Sequence, residues 1–151
     1  MMNKYFLLII LLLFTQCDYK PIYSQNNQNF VIRVIEFNEN RTNKILATRL
    51  ENYSYKKDNI FLYELKLLTS ENKLILSKDT KGNPLLLGLK INLKIKVYEK
   101  NILISEKKYS EQFNYQNLSK KFELNSYESE IRSNIYDKMI SKILIDLANL
   151  K

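Results

Sequence analysis

From Leu89 to Val97 apolar and polar residues alternate without a break: Leu89, Ile91, Leu93, Ile95 and Val97 share one parity, Lys90, Asn92, Lys94 and Lys96 the other. Successive strand side chains point to opposite faces, so this stretch predicts a strand with one buried and one wet face. Residues 99–101 turn the chain, and residues 102–115 return as a second long strand, its hairpin partner. Upstream, residues 30–37 form a β-branched run that predicts a strand, and residues 38–41 a turn. Ile45, Leu46, Leu50 and Tyr53 then recur at helical spacing, predicting an amphipathic helix over 42–55 with Thr42 as its N-cap. Residues 60–69 alternate in part, residues 70–73 interrupt with Ser, Glu, Asn and Lys, and residues 74–78 resume. That pattern fits either a tight hairpin or one long strand with a bulge. Residues 79–84, DTKGNP, are a turn.

The last periodic segment is the longest. Ile131, Ile135, Met139, Ile143 and Leu147 recur every four residues, and Ile140, Leu144 and Leu150 widen the stripe. Asn125 followed by Glu128 resembles a capping box, so a C-terminal helix is expected from there. Strand, helix, strands, long hairpin, helix implies an α+β fold. We expect a two-layer sandwich, with an antiparallel-rich mixed sheet of about four strands covered by two helices.

Ahead of this domain, Lys4 precedes a ten-residue apolar run over 5–14. A membrane-crossing helix needs roughly 20 apolar residues; ten is the length of a signal-peptide core. The run ends at Thr15, Gln16 and then Cys17, the chain's single cysteine. A thiol at that place is the acceptor for diacylglycerol in bacterial lipoproteins, and several acyl chains, palmitate among them, anchor stably where one binds only marginally. We therefore expect a lipoprotein signal peptide over 1–16 and a lipidated N-terminus and polar tether over 17–29. An α+β domain is expected over 30–151. No other cofactor is expected than the covalent N-acyl diacylglycerol on Cys17.

Composition narrows the chemistry further. The 151 residues carry 24 Lys+Arg and 16 Asp+Glu, a formal charge of +8. The lysines are spread along the chain and mixed with glutamates, unlike the clustered basic patches of nucleic-acid binders, and no nucleic-acid partner is expected. With no histidine in the sequence, a Ser-His-Asp triad, a histidine metal site and a histidine base are excluded. Two glycines make neither a P-loop nor a dinucleotide fingerprint. A lone cysteine forms no disulfide within the chain. We expect no enzyme and no metal site.

Residues 17–24, CDYKPIYS, resemble the mature start of the LPS-assembly lipoproteins, the LptE family, in its alphaproteobacterial type. The resemblance continues in order through LATRLE (46–51), LKINLKIKVYEKN (89–101) and YESEIRSNIYDKMISKILIDL (127–147). It implies a lipid-anchored protein on the periplasmic face of the outer membrane. Such a protein plugs and helps assemble a large β-barrel partner, LptD-like, and the two insert lipopolysaccharide into the outer leaflet. Asp18 stands where that pattern has Gly. Asp after the lipidated cysteine retains some lipoproteins in the inner membrane, and gives the alternative of a lipid-binding auxiliary lipoprotein of an inner-membrane lipid transporter.

On this resemblance Lys90, Lys94 and Lys96 are candidates to meet the phosphates of a glycolipid, since lysine binds phosphate as a point charge. A solvated sheet face is the plainer reading. Lys78 and Lys81, beside the turn, are further candidates for lipopolysaccharide contact. Tyr109, Tyr115, Tyr127 and Tyr136 are expected either to face a barrel lumen or to pack in the domain. Glu128, Glu130 and Asp137 are assigned to the acidic start of a helix, where the dipole favours them.

Overall fold

A computed structural model describes residues 30–38, 41–53 and 61–150; the expected signal peptide and tether over 1–29 lie outside them. In chain order come β1 (Phe30–Phe37), α1 (Arg41–Asn52), β2 (Phe61–Lys78), β3 (Pro84–Glu99), β4 (Ile102–Gln116) and α2 (Lys121–Ala148). The strands form one sheet in the order β1-β2-β3-β4. β1 runs parallel to β2. The β2–β3 and β3–β4 pairs are antiparallel. The expected α+β arrangement, a mixed four-strand sheet with two helices, is what the chain adopts.

The alternation of β3 sets the layers. Leu89, Ile91, Leu93, Ile95 and Val97 are all buried, and Lys90, Asn92, Lys94 and Lys96 lie on the opposite, half-exposed face. Against the apolar face pack Leu46, Ala47 and Leu50 of α1 and the stripe Ile131, Ile135, Met139, Ile140, Ile143, Leu144 and Leu147 of α2. Each such Leu, Ile or Met contributes about 1.5–3 kcal/mol on burial, and that drives the two layers together. At the β3–β4 turn Lys100 and Asn101 both take positive φ, 49° and 66°, the backbone of a type I′ turn whose twist suits a tight hairpin.

Phe61–Lys78 is one strand. Its register against β3 slips between Ile75 and Ser77, so the bulged strand is correct and the hairpin is not. The polar interruption at 70–73 is not a turn, because Glu71 and Lys73 sit on the helix-facing side and pair with Arg132 and Glu128 of α2.

Both expected helix caps are displaced. Thr42 lies inside α1, which begins at Arg41. Its hydroxyl donates to Glu71 Oε2 at 3.2 Å and accepts from Tyr136 OH at 3.3 Å, so a tertiary contact takes the oxygen that would have capped the helix. α2 begins at Lys121, ahead of Asn125, and its N-cap Lys120 makes no side-chain cap bond. Glu128 is a buried mid-helix acid, not the far half of a capping box.

Between β2 and β3 the chain closes through residues 79–83. Asp79 accepts the backbone N–H of Lys81 at 2.8 Å, that of Asn83 at 2.8 Å and the Asn83 side-chain amide at 2.9 Å. The bond from the Asn83 amide, more than any other, holds the Asp79 carboxyl below its ordinary value. Gly82 has φ +86°, and a Cβ there would meet nothing within 4 Å. Gly82→Ala is therefore expected to cost about 1 kcal/mol from backbone conformation alone, read as a shift of the denaturant midpoint at unchanged slope. Gly82→Asn should cost less.

Candidate functional site

Three acid-centred clusters tie α2 to the inner face of the sheet. Glu128 takes a hydrogen bond from Lys73 of β2, one from Tyr115 OH of β4 at 2.7 Å, and a weak one from Arg132 at 3.5 Å. Glu111 of β4 pairs with Lys138 at 2.7 Å and with Lys142. Asp146 pairs with Lys107 at 2.6 Å and accepts from Tyr109 OH at 2.6 Å. Desolvation raises the carboxyls of Glu128 and Asp146, but hydrogen bonds from their cationic and phenolic partners outweigh it, and both lie below their ordinary values. Glu111 is lowered first by Lys138 and then by Lys142. Every oxygen in these clusters has a structural partner, so they read as fasteners and not as an acid–base pair. Among the described residues no group of acids and cysteine could hold a metal ion, and no described helix is long and apolar enough to cross a membrane.

The same clusters settle the tyrosines. Tyr115 and Tyr136 are buried in the core, so neither faces a lumen. Desolvation, then the bond to Asp146, raises the Tyr109 hydroxyl; desolvation, then the bond to Glu128, does the same for Tyr115. Tyr127 stays partly exposed, edge-on to Tyr115 at 6.1 Å. Glu128 and Asp137 are not dipole-stabilised acids of a first turn either. Glu128 is the buried hub just described, and Asp137, mid-helix, binds Arg49 of α1 at 2.7 Å.

The outer face of the sheet carries the candidate lysines. Lys94 and Lys96 reach the same Glu106, at 2.8 and 3.8 Å, so their charge is partly answered. The hydrogen bond from Lys94 is the main cause of a lowered Glu106 carboxyl. Lys90 has no ion pair among the described residues, and Lys108, opposite Lys94 in the register, adds a cation that the sequence pattern did not single out. A hollow of about 660 Å³ opens here between Lys90, Lys94 and Lys108, floored by Asn92, Ser110 and Leu68. Leu68 is 53% exposed, an apolar spot inside a cationic ring. Asn92 joins the two neighbouring strands across it, donating to Ser70 Oγ at 3.3 Å and accepting from Ser110 at 2.8 Å.

Lys78 and Lys81 lie apart from this ring, both exposed, at the β2–β3 end of the sheet. A strand of β2's length spans ~60 Å at about 3.3 Å per residue, and α2 spans ~42 Å at 1.5 Å per residue. The sheet outruns its helical cover, and Ile75, Leu85 and Phe113 are left 45–53% exposed at that end. The structure therefore separates the five lysines into an outer-face group and a tip group. Cys17, the expected lipid attachment, lies outside the described residues.

The sequence matches no protein-family model and no curated protein. The fold does match solved structures. Rare lipoprotein B of Shewanella oneidensis superposes with a TM-score of 0.58 at 16% identity, over 79% of this chain and 97% of that one. A lipoprotein of Caulobacter crescentus gives 0.57 at 13% identity, over 78% and 87%. A minor lipoprotein of Acinetobacter baumannii gives 0.53 at 17% identity, over 77% and 88%. At such identities the likeness is one of fold.

Proposed function

We propose that this chain is a lipoprotein of the outer membrane, tethered at Cys17 on the periplasmic face, that plugs and helps assemble an LptD-like β-barrel. The pair would insert lipopolysaccharide into the outer leaflet. The observation that carries this reading is a conjunction: a cysteine three positions past a signal-length apolar run, on a fold that spans 97% of a solved rare lipoprotein B. Two further features support it. Outer-membrane barrels have polar interiors, and the outer sheet face, with its Ser70–Asn92–Ser110 ladder and Glu106-centred lysines, is a polar surface suited to such a lumen. The ring of Lys90, Lys94 and Lys108 around Leu68 fits an anionic amphiphile, with Lys96 beside it and Lys78 and Lys81 at the tip as second contacts. The mechanism is occupancy and lipid contact, with no bond made or broken by the protein.

Asp18 favours a second reading, a lipid-binding auxiliary of an inner-membrane lipid transporter. Purification through a C-terminal tag in mild detergent discriminates between them. A stoichiometric large β-barrel is the expected result; an inner-membrane transporter in its place selects the second reading, and neither partner sinks both. Cys17→Ala is expected to remove the acyl chains and release the chain from the membrane fraction or leave it with an uncut leader, seen as a mass change and by fractionation. Retention of acyl chains in that variant would refute the anchor.

A further inference from the structure

A second concavity lies on the helical side of the molecule, opposite in face from the lysine ring. It is a groove of about 720 Å³ between α1 and α2, with Arg41, Asn125, Ser129 and Arg132 along it and Glu71 and Glu128 at its floor. Its hydrogen bonding is lopsided. The acceptors on the floor are occupied: Glu71 takes Arg132 Nε at 2.7 Å and Thr42 at 3.2 Å, and Glu128 takes Lys73, Tyr115 and Arg132. The donors are not. Among the described residues the side chains of Arg41, Asn125 and Ser129 have no hydrogen-bond partner, and Nη1 of Arg132 is unused. A groove whose two carboxylates are spent while Arg41 and one edge of Arg132 stay free favours a ligand rich in acceptors.

The donor types narrow that ligand further. Arginine presents a planar fork that matches phosphate or carboxylate oxygens in pairs. Arg132 is held in place by its bonds to Glu71 and Glu128, so its remaining edge is pre-oriented and little entropy is lost on binding. The groove is several times larger than one anion needs. Asn125 and Ser129 each both donate and accept, the chemistry that reads sugar hydroxyls, and Ile45 lines the same groove.

We propose that the α1–α2 groove binds a phosphorylated sugar, with the phosphate on Arg41 and Arg132 and the hydroxyls on Asn125 and Ser129. This site is separate from the outer-face lysines and does not rest on a barrel partner. The ligand's source is either a soluble sugar phosphate or the phosphorylated sugar of a lipid.

Calorimetric titration of the full chain in detergent micelles tests it, with glucose 6-phosphate, glucose and inorganic phosphate as soluble probes and lipid A in mixed micelles as the lipid-borne one. Glucose 6-phosphate is expected to bind more tightly than glucose or inorganic phosphate. Arg41→Ala, at an exposed position with no partner to orphan, is expected to weaken binding at least about tenfold, the size of one charge-assisted hydrogen bond. Ser129→Ala should weaken it less, and Lys90→Ala on the other face should leave it unchanged. Arg41-dependent binding of lipid A alone supports the site and assigns a lipid source. Titrations of all probes that are unmoved by Arg41→Ala and Ser129→Ala, or glucose or inorganic phosphate binding as well as glucose 6-phosphate, overturn the proposal.

Discussion

Leu93→Ala is expected to lower the unfolding free energy by about 3 kcal/mol, within the range of buried leucine truncations. Leu68→Ala, one rung away on β2, is expected to change it by less than about 0.5 kcal/mol. The two leucines differ only in parity. Leu93 is 1% exposed on the helix-facing side, and Leu68, paired with Lys94, is 53% exposed on the outer side. Truncating Leu93 removes apolar surface from the core under α2 and leaves a cavity that a sheet held on both sides by partner strands closes poorly. Truncating Leu68 removes a side chain already half in water. Urea denaturation of the two variants reads the difference directly, as a displaced midpoint for one and a coincident curve for the other. Equal midpoints would mean that the layers are assigned to the wrong faces.

Glu128→Ala is expected to cost about 2 kcal/mol at neutral pH. Removing one partner of a fully buried pair costs about 3–5 kcal/mol, but Lys73 is 45% exposed and recovers water when its partner goes. The orphaned group is Tyr115 OH, which is buried and loses its acceptor. Glu128→Gln keeps an acceptor and should cost roughly half as much. The pH dependence follows from the same cluster. Glu128, Glu111 and Asp146 all sit below their ordinary values of 4.5, 4.5 and 3.8 in the folded chain. A depressed folded value means that the unfolded chain takes up the proton first as pH falls. The stabilisation is therefore full above about pH 5 and is lost progressively below about 4.5. Thermal unfolding should accordingly be flat from pH 7 to about 5 and fall steeply at lower pH, with a shallower acid limb in Glu128→Ala. At the alkaline end, Tyr109 and Tyr115 are raised above 10.0. Their contribution is full below that value and is lost progressively as pH rises from there through the higher folded values.

The legibility of these features in the sequence depended on where each side chain finds its partner. β3 was readable because its inner residues are apolar and its outer ones polar, so parity alone gives both faces. The α2 stripe was readable for the same reason at a helical period. Glu71 and Lys73 were not: both lie on the inner face, where polar residues look like a turn until Arg132 and Glu128, more than 50 positions downstream, supply the partners. The spacing of Asn125 and Glu128 imitated a cap because a buried acid and a capping acid are the same residue in sequence. The true start of α2 has an exposed Phe122, 86% accessible, and polar neighbours, so no periodic signal marks it. The outer-face lysines were found by alternation, but Lys108 belongs to them only through cross-strand register. The α1–α2 groove is built from residues some 90 positions apart, and nothing local announces it.

The one parallel pair in the sheet has a consequence for how the chain assembles. β2, β3 and β4 form a meander whose turns, at residues 79–83 and at Lys100 and Asn101, bring partners together over a few residues. β1 meets β2 only across α1, with Phe30 opposite Phe61, and the entropy of closing that longer loop must be met before any of its contacts form. During synthesis β1 and α1 emerge first, yet they have no sheet to join until β2 has followed and no helix to pack on until α2 is made. The first-made part of the domain is thus expected to settle late. A chain exported unfolded and tethered at its front end would hold its least settled segment next to the tether until the far end had arrived.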